Sequence, residues 1–132
     1  MSLITGVHHI NLSAEDEAGY RKAVEFYTEV LGMKIYHTWS GRDGRESCMI
    51  STGDARMELG WGNAPLPQGT IRHFALATDD VAACIDAVRG AGYEITKEPR
   101  DVNLGGNFPA RIAFCIGPCG EEIEFFCEKK DI

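Results

Sequence analysis

The feature that most constrains the fold of this chain is an internal repeat. His9-Ile-Asn-Leu-Ser-Ala-Glu-Asp16 and His73-Phe-Ala-Leu-Ala-Thr-Asp-Asp80 both run from a histidine through an alternating stretch to an aspartate. In each copy a helical pattern follows, and a strand pattern with a glutamate among apolar residues closes the copy. Glu58 follows His9 by 49 residues, and Glu124 follows His73 by 51. The repeat predicts a duplicated module that carries one histidine and one glutamate in each copy.

The first copy predicts a β-α-β-β-β module over residues 6–62. Its strand, helix and three further strands are expected over residues 7–13, 17–31, 33–39, 46–51 and 56–61. Asp16 is expected to cap the helix and Gly32 to end it. Strand alternation would place His8 and His9 on opposite faces of the first strand.

The second copy predicts the same order over residues 70–128. Its elements are expected over residues 71–78, 81–90, 93–98, 111–116 and 121–127, with Asp79 or Asp80 as the helix cap. Prolines and glycines in residues 62–69 are typical of a linker. Residues 100–109 are expected to form a long loop, and the adjacent Gly105 and Gly106 would allow this loop to move. The fold class is therefore α+β, with two tandem modules in a single domain over residues 1–132.

Composition narrows the classes of function. The chain is 44% apolar, and no apolar run approaches the roughly 20 residues of a membrane span. A net charge of −7 argues against nucleic acid as a partner. The five cysteines are scattered and odd in number, which favours reduced thiols over a disulfide framework. With no pattern typical of a secretory signal, we expect a cytoplasmic protein.

Two histidines and two glutamates at repeated positions form a ligand set for a divalent metal. Imidazole and carboxylate donors together suit nickel, cobalt, zinc, iron or manganese, whereas calcium requires more oxygens. The alternative is that His9 and His73 are hydrogen-bonded core residues and that Glu58 and Glu124 face solvent. The symmetric placement of all four in a duplicated module favours the metal.

Other conspicuous residues have simpler interpretations. His8 and His37 lack an equivalent in the repeat and are expected to be structural or surface groups. Met57, Trp61 and Phe126 lie on predicted strands, where they would belong to the core or line a pocket. Phe126 shares its strand face with Glu124, so it is the better candidate for a pocket.

Three motifs resemble the vicinal oxygen chelate superfamily, and within it the glyoxalase I branch. They are the repeated His-x-x-Leu-x-x-x-Asp, the helix end Phe26-Tyr27-Thr-Glu-Val-Leu31-Gly32, and Gly117-Pro-Cys-Gly120-Glu-Glu-Ile-Glu124. The resemblance implies a curved mixed sheet around a metal site that is held by His9, Glu58, His73 and Glu124. It implies one divalent ion per site, with nickel, zinc or cobalt the best candidates.

The same resemblance implies a reaction and an assembly. The substrate would be the small-molecule hemithioacetal of a 2-oxoaldehyde such as methylglyoxal and a thiol such as glutathione, and the product a thioester. Glu124 is the first choice as catalytic base and Glu58 the second. Family members commonly share each site between two subunits, so a homodimer is expected.

Two positions depart from the glutathione-dependent pattern. Ser13 stands where those enzymes typically carry an arginine, and Asn63 lies slightly later than the expected asparagine. Arg56 is the first candidate to replace the missing cation, because it shares the strand face of Glu58. Trp61 and Phe126 complete the expected substrate-binding residues.

These departures leave other activities of the superfamily open. A fosfomycin-type thiol transferase or an extradiol dioxygenase would need only two histidines and one carboxylate, and an epimerase usually has glutamine at the position of Glu58. A metal-free, bleomycin-resistance-like binding protein would use an acidic groove, which the net charge allows.

Overall fold

The computed structural model of the chain describes residues 8–41, 43–63, 72–106 and 108–129. The chain divides into two compact units, Met1–Pro65 and Leu66–Ile132. This division falls within the segment 62–69 that the sequence marks as a linker, although most of that segment lies outside the described residues. The α+β class and the tandem β-α-β-β-β order are confirmed. No helix in the described ranges is long and apolar enough to cross a membrane.

The first unit is a four-stranded mixed sheet with one helix. Its elements in chain order are β1 (Ile10–Ala14), α1 (Glu17–Glu25), β2 (Lys34–Ser40), β3 (Glu46–Thr52) and β4 (Ala55–Trp61). The strand order is β1-β4-β3-β2, with β1 parallel to β4 and the other pairs antiparallel. α1, β2 and β3 together form the long connection that a parallel pair such as β1 and β4 requires.

Alternation along the strands gives this sheet an apolar face. Met57, Leu59 and Ile50 are buried there, while Glu58 points to the other face. α1 packs against β1 and β4 and buries Tyr20 and other apolar side chains of the helical segment. Burial of these groups is the main favourable contribution to folding of the unit.

The boundaries of the first helix follow its caps. The Asp16 carboxylate accepts a hydrogen bond from the Gly19 backbone N–H at 2.8 Å, as predicted for an N-cap. The helical segment continues past α1 as a π-helical turn, Phe26–Val30, and ends at Gly32, where φ is +80°. A left-handed backbone of this kind favours glycine, so the predicted stop is confirmed.

The second unit repeats the architecture. Its elements are β5 (Phe74–Ala77), α2 (Val81–Gly90), β6 (Ile95–Asn103), β7 (Pro109–Ile116) and β8 (Glu122–Glu128). The strand order is β5-β8-β7-β6, with β5 parallel to β8. α2 buries Val81, Ile85 and Val88, and Asp80 rather than Asp79 caps it by accepting the Ala83 N–H at 3.0 Å.

The two faces of the second sheet are both apolar. Ile123 and Phe125 are buried on one face. On the other, a cluster of Ala110, Ile112 and Phe114 packs with Phe126. Glu124 lies on this second face, because it pairs with Phe114 across the strands.

The prediction of a long loop over residues 100–109 is wrong. β6 extends to Asn103 and β7 begins at Pro109, with a short 3₁₀ turn, Leu104–Gly106, between them. The two adjacent glycines suggested a loop, but they lie in or next to the short turn, and β6 is an edge strand that tolerates Pro99. The Asn103 side chain closes the turn by accepting the Phe108 N–H at 2.9 Å. This turn is therefore tied to the strands it connects.

Candidate metal centre

In the first unit, the predicted ligands His9 and Glu58 form a pair. His9 directly precedes β1, and Glu58 lies in β4 opposite Asn11, two residues beyond the histidine. The His9 Nε2 and Glu58 Oε1 atoms are 3.3 Å apart. The His9 side chain is 35% exposed and the Glu58 side chain 28%. The parallel pairing of β1 with β4 thus brings together two residues that are distant in sequence.

The second unit repeats this pair in the same register. Glu124 lies opposite Ala75, again two residues beyond the histidine. The His73 Nε2 and Glu124 Oε1 atoms are 3.2 Å apart, and the Glu124 side chain is only 12% exposed. The His73 ring contacts Phe114 edge to face, with centroids 5.3 Å apart. The duplicated sequence therefore yields a duplicated geometry.

The geometry of each pair fits a divalent ion. A neutral imidazole that turns a lone pair toward a carboxylate is repelled unless a proton or a cation lies between them. Nitrogen and oxygen ligands lie about 2.0–2.2 Å from zinc, so two ligands of one ion are about 2.8–3.6 Å apart at octahedral to tetrahedral angles. The observed separations, 3.3 and 3.2 Å, fall in this range.

Each unit brings together two of the four predicted ligands. Among the described residues, no group of three or more histidine, cysteine, aspartate or glutamate side chains is placed to hold a metal ion. The structure brings each predicted histidine together with the glutamate of its own copy. That the two pairs share one ion stays a prediction.

The second nitrogen of each ring also has a neighbour, which the sequence did not suggest. The Nδ1 atoms of His8 and His9 are 3.0 Å apart, and their rings meet edge to face. The prediction that these rings point to opposite faces is wrong, because β1 begins only at Ile10 and alternation does not govern the residues before it. In the second unit, Glu122 Oε1 lies 3.6 Å from His73 Nδ1.

Arg56 carries the expected charge on the face of Glu58. Its guanidinium lies over the Tyr36 ring, 4.6 Å from the centroid. Its Nε atom is buried without a hydrogen-bond partner. A buried unpaired donor is costly, so this nitrogen would gain from an acceptor on a bound molecule.

The two residues that depart from the glutathione-dependent pattern contact each other. Asn63 lies two residues beyond the end of β4, and its Nδ2 donates to the Oγ of Ser13 in β1 at 3.0 Å. Trp61, the last residue of β4, lies three positions from Glu58 and so faces the other way. Arg45, which sequence reasoning missed, lies over the Trp61 ring and donates to the Trp61 carbonyl at 3.0 Å.

Phe126 lines an open pocket in the second unit. The pocket has a volume of about 400 Å³, and its other walls include Ala77, Thr78 and Asp79. Phe126 contacts Phe108 edge to face at 6.2 Å. Since Phe126 lies two residues beyond Glu124 on β8, the pocket begins on the face that carries the His73 pair.

The cysteines do not add ligands. All five are free thiols. Burial raises the pKa of Cys115 and of Cys119 to about 12, so both stay protonated at neutral pH. A protonated thiol is a poor nucleophile and a poor metal ligand, so this pair has no sign of redox or zinc chemistry.

Comparison with known proteins agrees with this fold. A profile of the glyoxalase/bleomycin resistance protein/dioxygenase superfamily matches residues 6–125. The chain therefore belongs to this superfamily. A solved structure of TnmS3, an antibiotic-binding protein from Streptomyces sp. CB03234, superposes with a TM-score of 0.75 at 22% identity and covers 98% of this chain and 100% of its own.

Curated relatives point to one branch of the family. A probable lactoylglutathione lyase from Vibrio parahaemolyticus is 34% identical over 117 residues, which is 83% of each chain. The lactoylglutathione lyase of Escherichia coli O157:H7 is 32% identical over 117 residues, 83% of this chain and 84% of that protein. Relatives of this kind suggest an enzyme that acts on a small molecule.

Proposed function

We propose that this protein is a metal-dependent, glyoxalase I-like lyase. It would convert the hemithioacetal of a 2-oxoaldehyde such as methylglyoxal and a thiol such as glutathione into a thioester. The observation that carries the proposal is the matching His–Glu pair in each unit, with nitrogen-to-oxygen distances of 3.3 and 3.2 Å. The curated relatives named as lactoylglutathione lyases support it.

His9, Glu58, His73 and Glu124 would hold one divalent ion, with nickel, zinc or cobalt as the candidates. When bound, such an ion supplies Lewis acidity, which favours the negative charge that develops on the vicinal oxygens of the substrate. Two carboxylates balance its charge, and four protein ligands leave coordination positions for substrate. A homodimer with two such sites is part of the proposal.

Glu124 would move the proton. Its carboxylate takes the proton from the carbon that bears sulfur, the electron pair of that C–H bond forms a carbon–carbon double bond, and the carbonyl π pair moves onto the carbonyl oxygen. The same carboxyl then returns the proton to the neighbouring carbon, while the hydroxyl proton passes to the former carbonyl oxygen and the sulfur-bearing carbon becomes the thioester carbonyl. The hemithioacetal and the thioester are isomers, so no other reactant is needed. Glu124 is preferred over Glu58 because its side chain is 12% exposed against 28%, which shields the transferred proton from water.

Recognition of the substrate would use both units. Arg56 offers a guanidinium cation to a carboxylate of the thiol. The Ser13–Asn63 pair lies near the strand ends of the first unit and could contact the thiol, whereas Trp61 faces away from Glu58 and is left out of the proposed contacts. Phe126 and its pocket provide an apolar wall for the 2-oxoaldehyde carbon chain.

The five free thiols suit a reducing compartment, so a cytoplasmic location belongs to the same proposal. No part of the proposed chemistry requires a membrane or a nucleic acid.

The test combines metal content with turnover. The purified protein, reconstituted separately with nickel, cobalt and zinc, should retain about one ion per chain and isomerise the methylglyoxal–glutathione adduct. Glu58→Gln and Glu124→Gln should each lower kcat by about 100-fold or more. Glu94→Gln changes an exposed glutamate of the second unit that lies outside both the pocket and the His73 pair, so it serves as the charge-matched control and should retain activity. Absence of turnover with all three ions would reject this branch of the family.

A further inference from the structure

The ring of His73 lies between two carboxylates of one strand. Its Nε2 faces Glu124 at 3.2 Å, and its Nδ1 faces Glu122 at 3.6 Å. Glu122 and Glu124 are two residues apart on β8, so both side chains leave the same face of the sheet. Each ring nitrogen therefore has a negative group of its own.

One ring proton cannot serve both carboxylates. A neutral imidazole has one N–H and one lone pair, and the partner of one nitrogen determines which nitrogen carries the proton. A cation at the Nε2 and Glu124 side requires the Nε2 lone pair, so the proton must reside on Nδ1. Glu122 is the negative group that faces that proton.

The first copy cannot use the same arrangement. Counting back two residues from each glutamate, the position of Glu122 corresponds to Arg56, a cation whose guanidinium lies over Tyr36. The outer nitrogen of His9 instead meets His8, with the two Nδ1 atoms 3.0 Å apart. The carboxylate behind the histidine is thus a property of the second copy.

We propose that Glu122 is a positioning residue of the metal centre, which holds the proton of His73 on Nδ1 and so presents the Nε2 lone pair to the ion bound with Glu124. This inference rests on the proposed function only in its need for an ion at this pair. A carboxylate behind a metal-bound histidine fixes the ring orientation and raises its basicity. At 3.6 Å the contact is longer than a hydrogen bond, so the proposal requires the two side chains to approach to hydrogen-bond distance when the ion binds.

The experiment compares zinc binding by the full chain and its variants. Zinc affinity is measured by competition with a chromophoric chelator for the wild type, Glu122→Ala, Glu122→Gln and Glu128→Ala. Removal of the carboxylate in Glu122→Ala should weaken zinc binding about 10-fold or more. Glu122→Gln should recover most of this loss, because its amide oxygen can still accept the Nδ1 proton. Glu128→Ala removes an exposed glutamate from the same strand and should bind zinc as the wild type does.

A spectroscopic signal separates positioning from a general structural effect. In the zinc-loaded wild type, the His73 Nδ1 proton should exchange slowly with water and give a proton resonance coupled to ¹⁵N. This resonance should persist in Glu122→Gln and broaden or vanish in Glu122→Ala, while circular dichroism stays unchanged. Glu122→Ala that binds zinc like the wild type and keeps the resonance would overturn the inference.

The two proposals can fail separately. If the wild type binds zinc but does not turn over substrate, the proposed activity is contradicted. The zinc affinities of the Glu122 variants still decide whether Glu122 is a positioning residue. A wild type that binds no zinc overturns both proposals.

Discussion

At the scale of single residues, the two glutamates of the proposed site differ in their access to water. The Glu124 side chain is 12% exposed and that of Glu58 28%. A carboxyl shielded from solvent returns more of the hydrogen it removes, because exchange with water is slower than transfer. The amount of solvent deuterium that enters the product can therefore distinguish the two glutamates.

We predict that Glu58→Gln and Glu124→Gln each lower kcat by about 100- to 10,000-fold, and that the loss is about 10-fold larger for Glu124→Gln. In D₂O, the wild type should place less than a full equivalent of deuterium in the product. Turnover remaining in Glu124→Gln should incorporate more, since a solvent-exposed base then moves the proton. Initial rates and NMR of the product measure both effects. Equal losses with equal deuterium content would contradict the assignment of Glu124 as the base.

The repeat assigned one histidine and one glutamate to each copy, and the structure brings the two residues of each copy together. The partners of the outer ring nitrogens were not predicted. Glu122 was detectable in principle, because it lies two residues before Glu124 on one strand face. No such pattern could place His8 beside His9, since both precede the first residue of β1.

At the scale of elements, each module depends on a helix with one capping aspartate. The sequence left Asp79 and Asp80 as alternatives for α2, since both precede Val81. The structure selects Asp80, because its Oδ1 accepts the Ala83 N–H at 3.0 Å. Which of the two aspartates caps α2 depends on where the helical backbone begins, and the sequence alone does not specify that residue.

We predict that Asp80→Ala lowers the free energy of unfolding by about 1 kcal/mol, because the first turn of α2 loses a partner for a backbone N–H. Asp16→Ala should have a similar effect through α1. Asp79→Ala, next to the cap, is the matched control and should change stability by less than about 0.5 kcal/mol. Urea titrations followed by circular dichroism measure these differences. A larger loss in Asp79→Ala than in Asp80→Ala would contradict the assigned cap.

The edge strand β6 is fixed to its neighbours by charges. Asp101 accepts hydrogen bonds from Lys129 at 2.5 Å and from Arg111 at 3.2 Å. These two cations lower the pKa of the Asp101 carboxyl below its usual value. A carboxyl with a lowered pKa stabilises the folded state above its unfolded pKa and loses that effect as pH falls through the folded value.

We therefore predict that Asp101→Asn lowers the Tm near pH 7 and that the difference from the wild type shrinks as pH falls below about 4 and disappears once the Asp101 carboxyl of the folded protein is protonated. Added salt should also reduce the difference, because Asp101 is exposed. Asp54→Asn, an exposed aspartate in the first unit, is the control for loss of one negative charge. Calorimetric melts across pH measure the effect. A Tm difference that persists at the lowest pH would show that charge is not its cause.

Element order was predictable because apolar periodicity changes from two to about 3.6 residues between strands and helices. Finer features were not. The π-helical turn Phe26–Val30 has the same apolar spacing as an α-helix, so the sequence predicted one continuous helix. The extension of β6 to Asn103 depends on its edge position, which only the sheet topology reveals.

At the scale of the whole molecule, the proposed site needs four ligands, and each unit supplies two. The duplication made this division predictable, because a repeated module supplies equal donor sets. The sequence does not specify whether the second His–Glu pair of a site comes from the other half of the same chain or from a second chain. A homodimer with shared sites is the arrangement we propose.

Complementation between two inactive variants tests this arrangement. Consider a dimer with shared sites that contains one His9→Ala subunit and one His73→Ala subunit. One of its two sites then contains both substitutions, and the other site contains neither. Random pairing makes half of the dimers mixed, so the mixture should recover roughly a quarter of wild-type activity and bind zinc in proportion. His37→Gln changes an exposed histidine of β2 that stacks on Trp39, and this control should be active alone. If each site were built within one chain, every mixed dimer would carry one substitution in each site, and no activity would return. Light scattering of the same samples gives the dimer content, so that a failure to pair is distinguished from a site built within one chain.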